Sequence, residues 1–576
     1  MRAGSAVAFW SVVAVLCVGA VVHVVYYFPR TVDDMFIFLR YADNIGAGFG
    51  PVYNVGERVE GYSSSVWLGL LALGEVLGPG GVSWAKLLGC VSLLWLLWGL
   101  FVLGRERFAL DRWEALIAPA FTIANSYVIS WSLWGLETPA YLALLVWSWV
   151  TLGRYVDAPS SSRWASFAGI GSACALVRPE APLLLACVGL GLWLEREGSV
   201  RRAAPIFAKA TLPVVAVFGA YLLWRHAYYG LWLPHTYYAK SIHGFRLDQL
   251  APLFGQGAGW FGMALTIGAL GIAIMLSVRQ KRHVPIVVMV GVCVFVVSVV
   301  IDWMPNQRHF LPFWLLIPLL WAAALQRLRV SSSIARPVRA VSLALMAVLL
   351  VGSAAGLVRT DSRYSAMDFR THGRGKQWVL PKSRDKWHDT LQCFRRVTPE
   401  HVERMHPYHM GMITQLYRLI ETDQHPLDES WYVGRDIGRV GYLAPVKVFD
   451  ADGLFTPAVV ADEVWRQDRS VSDALIHTAM NRYVVATELF GAWGPMVARS
   501  PDLRVKYVPL DRSWVHVKRR DGVPPDHATV VARYRNALAK MPQRYFLMTL
   551  YGEAVGAALQ RRFDIVSGMA EPAGSE

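Results

Sequence analysis

Residues Tyr26–Ser65 read YYFPRTVDDMFIFLRYADNIGAGFGPVYNVGERVEGYSSS. The stretch opens where an uninterrupted apolar run, 7–27, gives out, and a helix needs about 20 such residues at 1.5 Å each to cross a bilayer core. Two adjacent carboxylates, Asp33 and Asp34, therefore sit within a few residues of a membrane exit. Behind them the pattern predicts a short amphipathic helix, Met35 to about Ile45, bearing Arg40 and Asp43. A glycine-rich break (Gly46, Gly48, Gly50) then leads to Glu57-Arg58-Val59-Glu60-Gly61-Tyr62. A carboxylate desolvated on one side at the lipid boundary gains basicity and suits the removal of a proton from an attacking hydroxyl. The structural alternative stands beside it: Asp33 as a helix N-cap, with Thr31-x-x-Asp34 as a capping box.

The rest of the chain fits a membrane setting. Of its 576 residues 54% are hydrophobic and 17% charged, whereas soluble domains run near 25% charged. Disordered, collagen-like and small disulfide-stapled classes are excluded. Further apolar runs at 84–104, 113–130, 138–153, 164–177, 181–194, 204–224, 257–278, 284–301, 310–325 and 338–358 bring the expected spans to eleven. The formal charge of +15 is uneven: residues 1–358 carry 26 Lys+Arg against 16 Asp+Glu, and residues 359–576 carry 31 against 26 without a long apolar run. The expected fold is thus a multi-pass α-helical membrane domain, 1–358, followed by a mixed α/β water-facing domain, 359–576. Most of the surplus cation lies in short loops, which argues against nucleic acid as a partner and for a bilayer.

Loop charge sets the expected orientation. Clusters at Arg105/Arg107/Arg112, Arg154/Arg163, Arg196/Arg201/Arg202/Lys209, Arg279/Lys281/Arg282 and Arg327/Arg329/Arg336/Arg339, with Arg2, share one side only if the chain crosses twice between Arg163 and Arg196. The positive-inside rule makes that side cytoplasmic. The N-terminus is then inside, and the 28–83 loop, the Arg178-Pro179-Glu180 hairpin tip and the 359–576 domain lie outside. The segment 63–78, short and carrying Glu75, reads as an interfacial helix, not a crossing. Span 1, with only Arg2 before it and no clear small-x-small site, reads as an anchor instead of a cleaved signal peptide. Aromatic residues such as Tyr26, Trp131, Trp134, Tyr228, Tyr229 and Trp303 form the belt expected at the outer interface.

Polar motifs converge on that same side: Glu137 in WGLETP, Arg178 and Glu180 at the hairpin tip, Arg225 after span 7, His235, Tyr238 and Lys240 in PHTYYAK, and Arg308 and His309 before span 10. With Arg40, cations at this depth suit a lipid-linked phosphate, because Arg–phosphate contacts are strong and geometric. The plainer reading of each is a snorkelling cation or a buried ion pair such as Arg178–Glu180. Glu57, Glu60 and Tyr62 are acceptor-side candidates. Of six cysteines only Cys393 lies in the polar domain, and no Cys/His spacing spells zinc. Asp450-Ala451-Asp452-Gly453 lacks the further ligands of a calcium loop and reads as a strand-end turn. No dedicated metal site is spelled and no cofactor is indicated, although a divalent metal is compatible with the chemistry. In the tail, strands are expected at Trp431–Val433, Val446–Phe449, Tyr483–Ala486, Val505–Val508 and Ser513–Lys518, and helices near 401–420 and 525–541.

An Asp-Asp pair just after the first membrane helix resembles the GT-C superfamily of integral-membrane glycosyltransferases. More narrowly, DDMFIFLRYADNIGAGFGPVYNVGERVEGYSS (33–64), WSLWGLETPAY (131–141), LVRPEAPLL (176–184), YYGLWLPHTYYAK (228–240), RHFLPFW (308–314) and GRDIGRVGYLAPVKVFDADGL (434–454) resemble the group holding the terminal cell-wall arabinofuranosyltransferases. The resemblance covers the membrane domain and part of the tail. It implies an enzyme of the inner membrane that moves a sugar, arabinofuranose by the narrower likeness, from a polyprenyl-phosphate donor to a cell-envelope glycan or lipid acceptor. The base would be Asp33 or Asp34. One departure is His235, where relatives often carry Asn before the threonine. Two other classes compete: a transporter or flippase, which predicts midplane charges and internal repeats, and a non-catalytic envelope scaffold whose tail binds glycan.

Overall fold

Leu, Val, Ala and Trp fill the expected spans, and within lipid a helix is the open structure that satisfies its own backbone groups. A computed structural model of the protein describes residues 3–27, 32–78, 81–196, 200–240, 247–250, 259–298 and 308–330. In the tail it describes 431–434, 437–443, 447–450, 453–454, 456–457, 484–488, 507–509 and 515–518.

The helices run in chain order as α1 (Ala3–Tyr27), α2 (Asp33–Gly46), α3 (Ser65–Leu77), α4 (Gly81–Arg107), α5 (Ile117–Ala124), α6 (Ser126–Leu133) and α7 (Thr138–Asp157). They continue as α8 (Ser161–Val177), α9 (Ala181–Glu195), α10 (Val200–Tyr229), α11 (His235–Lys240), α12 (Gly259–Gln280), α13 (Val284–Ser298) and α14 (Leu311–Val330). Helical segments thus occupy ten of the eleven expected spans, and the eleventh, 338–358, lies outside the described residues. Among the described residues, Gly81–Arg107, Ala204–Tyr229 and Arg308–Arg327 are long and apolar enough to cross a membrane alone, with shorter apolar helices beside them. The expected single span 113–130 is instead broken. Asn125 takes an extended conformation (φ −82°, ψ 106°), so α5 stops there and α6 starts anew.

Close helix contacts are made where side chains are smallest, as is usual in membrane bundles. A methyl group on Gly89 of α4 would lie 1.9 Å from the Ser132 carbonyl oxygen of α6, so only glycine lets these backbones meet. The core is α7, buried along nearly its whole length.

At one end of the bundle the loop cations cross-brace. Arg107 pairs with Asp157 at 2.5 Å, Arg154 with Glu106 at 2.5 Å, and Arg196 donates to the Val156 carbonyl. The Glu195 carboxylate receives the Val284 amide at 3.1 Å. The ends of α4, α7, α9 and the start of α13 therefore meet on one side. The α8–α9 hairpin leaves and returns there, with Arg178 and Glu180 at its far tip.

The described tail strands are β1 (Trp431–Gly434), β2 (Lys447–Asp450), β3 (Val484–Glu488), β4 (Tyr507–Pro509) and β5 (Val515–Lys518), with helix α15 (Gly438–Leu443) between the first two. They form one sheet in the order β2-β1-β3-β5-β4, parallel on the β1 side and antiparallel around β5. All five overlap the short runs expected as strands. The predicted helices near 401–420 and 525–541 lie outside the described residues. At the end of β2, Asp450 accepts the Leu454 amide at 2.5 Å and its carbonyl accepts the Gly453 amide at 3.1 Å, a turn closed on itself.

Candidate functional site

Helix α2 begins at the acid pair itself. Its N-cap is Val32, in extended conformation and without a side-chain cap bond, so Asp33 and Asp34 stand in the first turn and not at the cap position. Anionic side chains there are favoured by the exposed amides and dipole of the helix start. Seven of the next eight residues are buried, Arg40 excepted. The 46–64 loop folds back over the helix: the Tyr41 hydroxyl donates to the Val59 carbonyl at 2.7 Å and accepts the Gly61 amide at 2.8 Å.

The tail docks on this loop. The Gly438 amide donates to Asp33 Oδ2 at 2.6 Å. The Tyr53 hydroxyl donates to the Ile437 carbonyl at 3.0 Å. Arg40 donates through Nε to the Tyr53 carbonyl at 2.7 Å and through Nη1 to the Gly441 carbonyl, with its guanidinium 4.6 Å over the Tyr53 ring. Asn54 pairs with Val448 like a strand, donating and accepting at 2.9 Å each. First loop and tail thus lie on one side of the bundle, and Arg40, expected as a phosphate contact, braces the tail instead.

A second group forms where the loop meets the end of α10. Glu60 Oε2 lies 2.8 Å from Arg225 Nε, and Glu60 Oε1 accepts the Tyr221 hydroxyl at 2.8 Å. Burial pushes the Glu60 carboxyl above its ordinary value despite that partner. The Tyr62 and Tyr229 hydroxyls meet at 3.1 Å, and the Tyr229 hydroxyl donates to the Pro51 carbonyl at 2.7 Å. The His235 amide donates to the Glu60 carbonyl at 3.0 Å, and burial lowers the pKa of its imidazole, with the Gly453 backbone acting the other way. Glu57 accepts from Asn54 at 2.9 Å. Tyr238 stacks edge-on with Tyr237, and Lys240 closes α11.

The third group is the hairpin tip. Arg178 Nε donates to Glu180 Oε1 at 2.6 Å, Nη1 to Glu137 Oε1 at 2.7 Å, and Nη2 lies 3.2 Å from His309 Nδ1. Arg178, Glu137 and Glu180 keep side-chain exposures of 4%, 2% and 3%, so this is a buried ionic strut joining α7, the α8–α9 turn and the approach to α14. Burial alone would raise the Glu180 carboxyl, but Arg178 and His309 outweigh it and hold the pKa at about 2. Arg308 lies 5.6 Å over the Trp131 ring. Helix α3 ties the groups together: Trp67 donates to the Gly135 carbonyl at 3.1 Å and Ser65 to the Leu176 carbonyl at 3.1 Å.

Sequence reasoning missed Tyr53, Asn54, Tyr221 and Lys86. Lys86 is fully buried in α4 and donates to the Leu133 carbonyl at 2.9 Å, next to the WGLETP motif. The signal for it was on the page: a lysine six residues into an apolar helix is costly in lipid and rarely idle.

No protein-family model matches the chain. It is 31% identical over 264 residues, 43% of its length, to a terminal β-(1→2)-arabinofuranosyltransferase of Mycobacterium tuberculosis, and 30% identical over 285 residues, 44% of its length, to the enzyme of that name from Corynebacterium glutamicum. The matches span only 41% and 39% of those relatives. Its fold is shared with ArnT of Cupriavidus metallidurans, crystallised bound to undecaprenyl phosphate, at a TM-score of 0.52 and 14% identity over 90% of this chain and 98% of that one. The apo form of ArnT matches at 0.53. The chain therefore has the fold of ArnT and is similar in sequence, over less than half of its length, to terminal arabinofuranosyltransferases.

Proposed function

We propose that the protein is a glycosyltransferase that takes a sugar from a polyprenyl-phosphate donor and attaches it to a glycan or lipid acceptor of the cell envelope, on the outer side of the inner membrane. The observation that carries the proposal is the acid pair in the first turn of α2, on the bundle side away from the loop cations, in a chain with the fold of a protein crystallised with undecaprenyl phosphate. The similarity to terminal arabinofuranosyltransferases supports arabinofuranose as the sugar.

The chemistry asks little of the protein. Asp33 or Asp34 takes the acceptor hydroxyl proton while the oxygen bonds the anomeric carbon. The bond from that carbon to the phosphate oxygen breaks, and the sugar passes through an oxocarbenium-like state, as in glycoside chemistry generally. Polyprenyl phosphate departs as an anion and needs cations, not a general acid. Arg308 and Lys240 are our candidates for that contact, and Glu60 and Tyr62 for the acceptor side. Glu137, Arg178 and Glu180, proposed from sequence as donor contacts, act in our reading as the strut that holds the site walls.

The test is direct. Purified full-length protein in lipid discs is incubated with a panel of polyprenyl-phosphate sugars and cell-envelope acceptors, and donor consumption is followed. Consumption of one donor that Asp33→Asn or Asp34→Asn abolishes supports the reading; a panel left intact overturns it.

A further inference from the structure

The motif 434–454 belongs to the tail, far in sequence from the acid pair, yet its backbone meets that pair. A methyl group on Gly438 would sit 2.0 Å from the Asp33 carbonyl oxygen and 2.8 Å from Asp33 Oδ2. One on Gly441 would sit 1.9 Å from the Tyr53 hydroxyl. Real Cβ atoms do not approach that closely, so both glycines are required by the contact and not by a turn. Ile437 and Val440 between and beside them are buried, and Tyr442 packs its ring 5.8 Å from Phe36 of α2. Every anchor on the loop side is a separate residue: Asp33, Phe36, Arg40, Tyr53 and Asn54.

We propose that the segment Ile437–Tyr442 is part of the transfer site, and that the Gly438 amide is a positioning group that helps set the rotation of the Asp33 carboxylate. A carboxylate on a short side chain turns freely about its last bond, and a charge-assisted hydrogen bond of this length sets it in one plane. The tail then does more than cover the loop: it completes the geometry of the acid pair, and the pair acts only with the tail seated. This rests on the transferase reading above.

The experiment uses the full-length chain, with Gly438→Ala and Gly441→Ala compared with the parent. Turnover and KM for the donor are read separately, together with the thermal midpoint in detergent. Seating of the tail is read independently, by cross-linking a Phe36→Cys/Tyr442→Cys pair with a short bifunctional thiol reagent. Gly438→Ala, whose methyl the Asp33 carbonyl excludes, is expected to lower kcat and cross-link yield at least tenfold with donor KM within about twofold. Gly441→Ala is expected to lower both kcat and cross-link yield at least tenfold. An active parent whose Gly438→Ala variant keeps its kcat overturns the positioning role while leaving the transferase reading intact, as does a parent that does not cross-link. A parent that consumes no donor overturns the transferase reading, and the positioning role falls with it.

Discussion

Two acid–base groups face each other across α3, and they are built in opposite ways. At the hairpin tip, Arg178 is engaged through three of its nitrogens by Glu137, Glu180 and His309, so a buried cation meets two buried carboxylates inside the protein. At the start of α2, Asp33 accepts a hydrogen bond from the Gly438 backbone amide of the tail. In sequence both are the same thing: carboxylates and arginines near an outer helix end. The difference is that the hairpin tip joins side chains of the bundle to one another as a strut, while the start of α2 is met by the backbone of the tail.

That contrast is broken most sharply by removing the acids. Asp33→Asn and Asp34→Asn are each expected to cut donor turnover, one of them by about 10²–10⁴-fold, the usual worth of a positioned general base. The thermal midpoint should stay near that of the parent. A large loss of stability with turnover per folded molecule intact would make the pair a strut like the other group.

Glu180→Gln tests the opposite pole. Leaving Arg178 short of one partner at 4% side-chain exposure is expected to cost about 3–5 kcal/mol of stability, as breaking a buried pair generally does. Chemical unfolding of the purified protein measures it. If stability holds and donor KM rises instead, the cluster is a donor site after all.

What the sequence shows of this division follows from what sequence can carry. Long apolar runs give the helices because each helix pairs its own backbone within lipid, and strands such as Lys447–Asp450 show as short β-prone runs. The break at Asn125 was passed over because hydropathy does not register a backbone dihedral, although Asn125-Ser126 interrupts the apolar run. The acid pair, Glu60 and Arg178 were legible as charges out of place. Their partners were not: Gly438 lies 405 residues beyond Asp33, and a glycine chosen for close approach looks like any other glycine. Lys86 was legible and passed over inside an otherwise apolar helix.

The dock between tail and loop carries the next prediction. Asn54→Ala leaves both the amide and the carbonyl of Val448 without their partner in a buried setting, a cost of about 1–3 kcal/mol. Limited proteolysis should then release the 431–457 region faster than in the parent, and turnover should fall with it. Faster release without loss of turnover would separate the tail from the chemistry.

The smallest effect is a pH slope. Glu180 titrates at about 2 when folded against an ordinary 4.5, because Arg178 and His309 more than offset the burial that would raise it. A group depressed on folding binds fewer protons folded than unfolded between those two values, so its stabilising contribution is complete above the ordinary value and drains away as pH falls toward the folded one. The stability gap between the parent and Glu180→Gln should therefore be constant from pH 7 to 5 and narrow steadily from pH 5 to 3, as read by thermal unfolding in detergent. The gap closes because the parent loses a charge that the glutamine never had. A gap that does not change with pH would mean that the carboxylate is not held by Arg178, and the hairpin tip would lose its standing as the ion-paired counterpart of the acid pair.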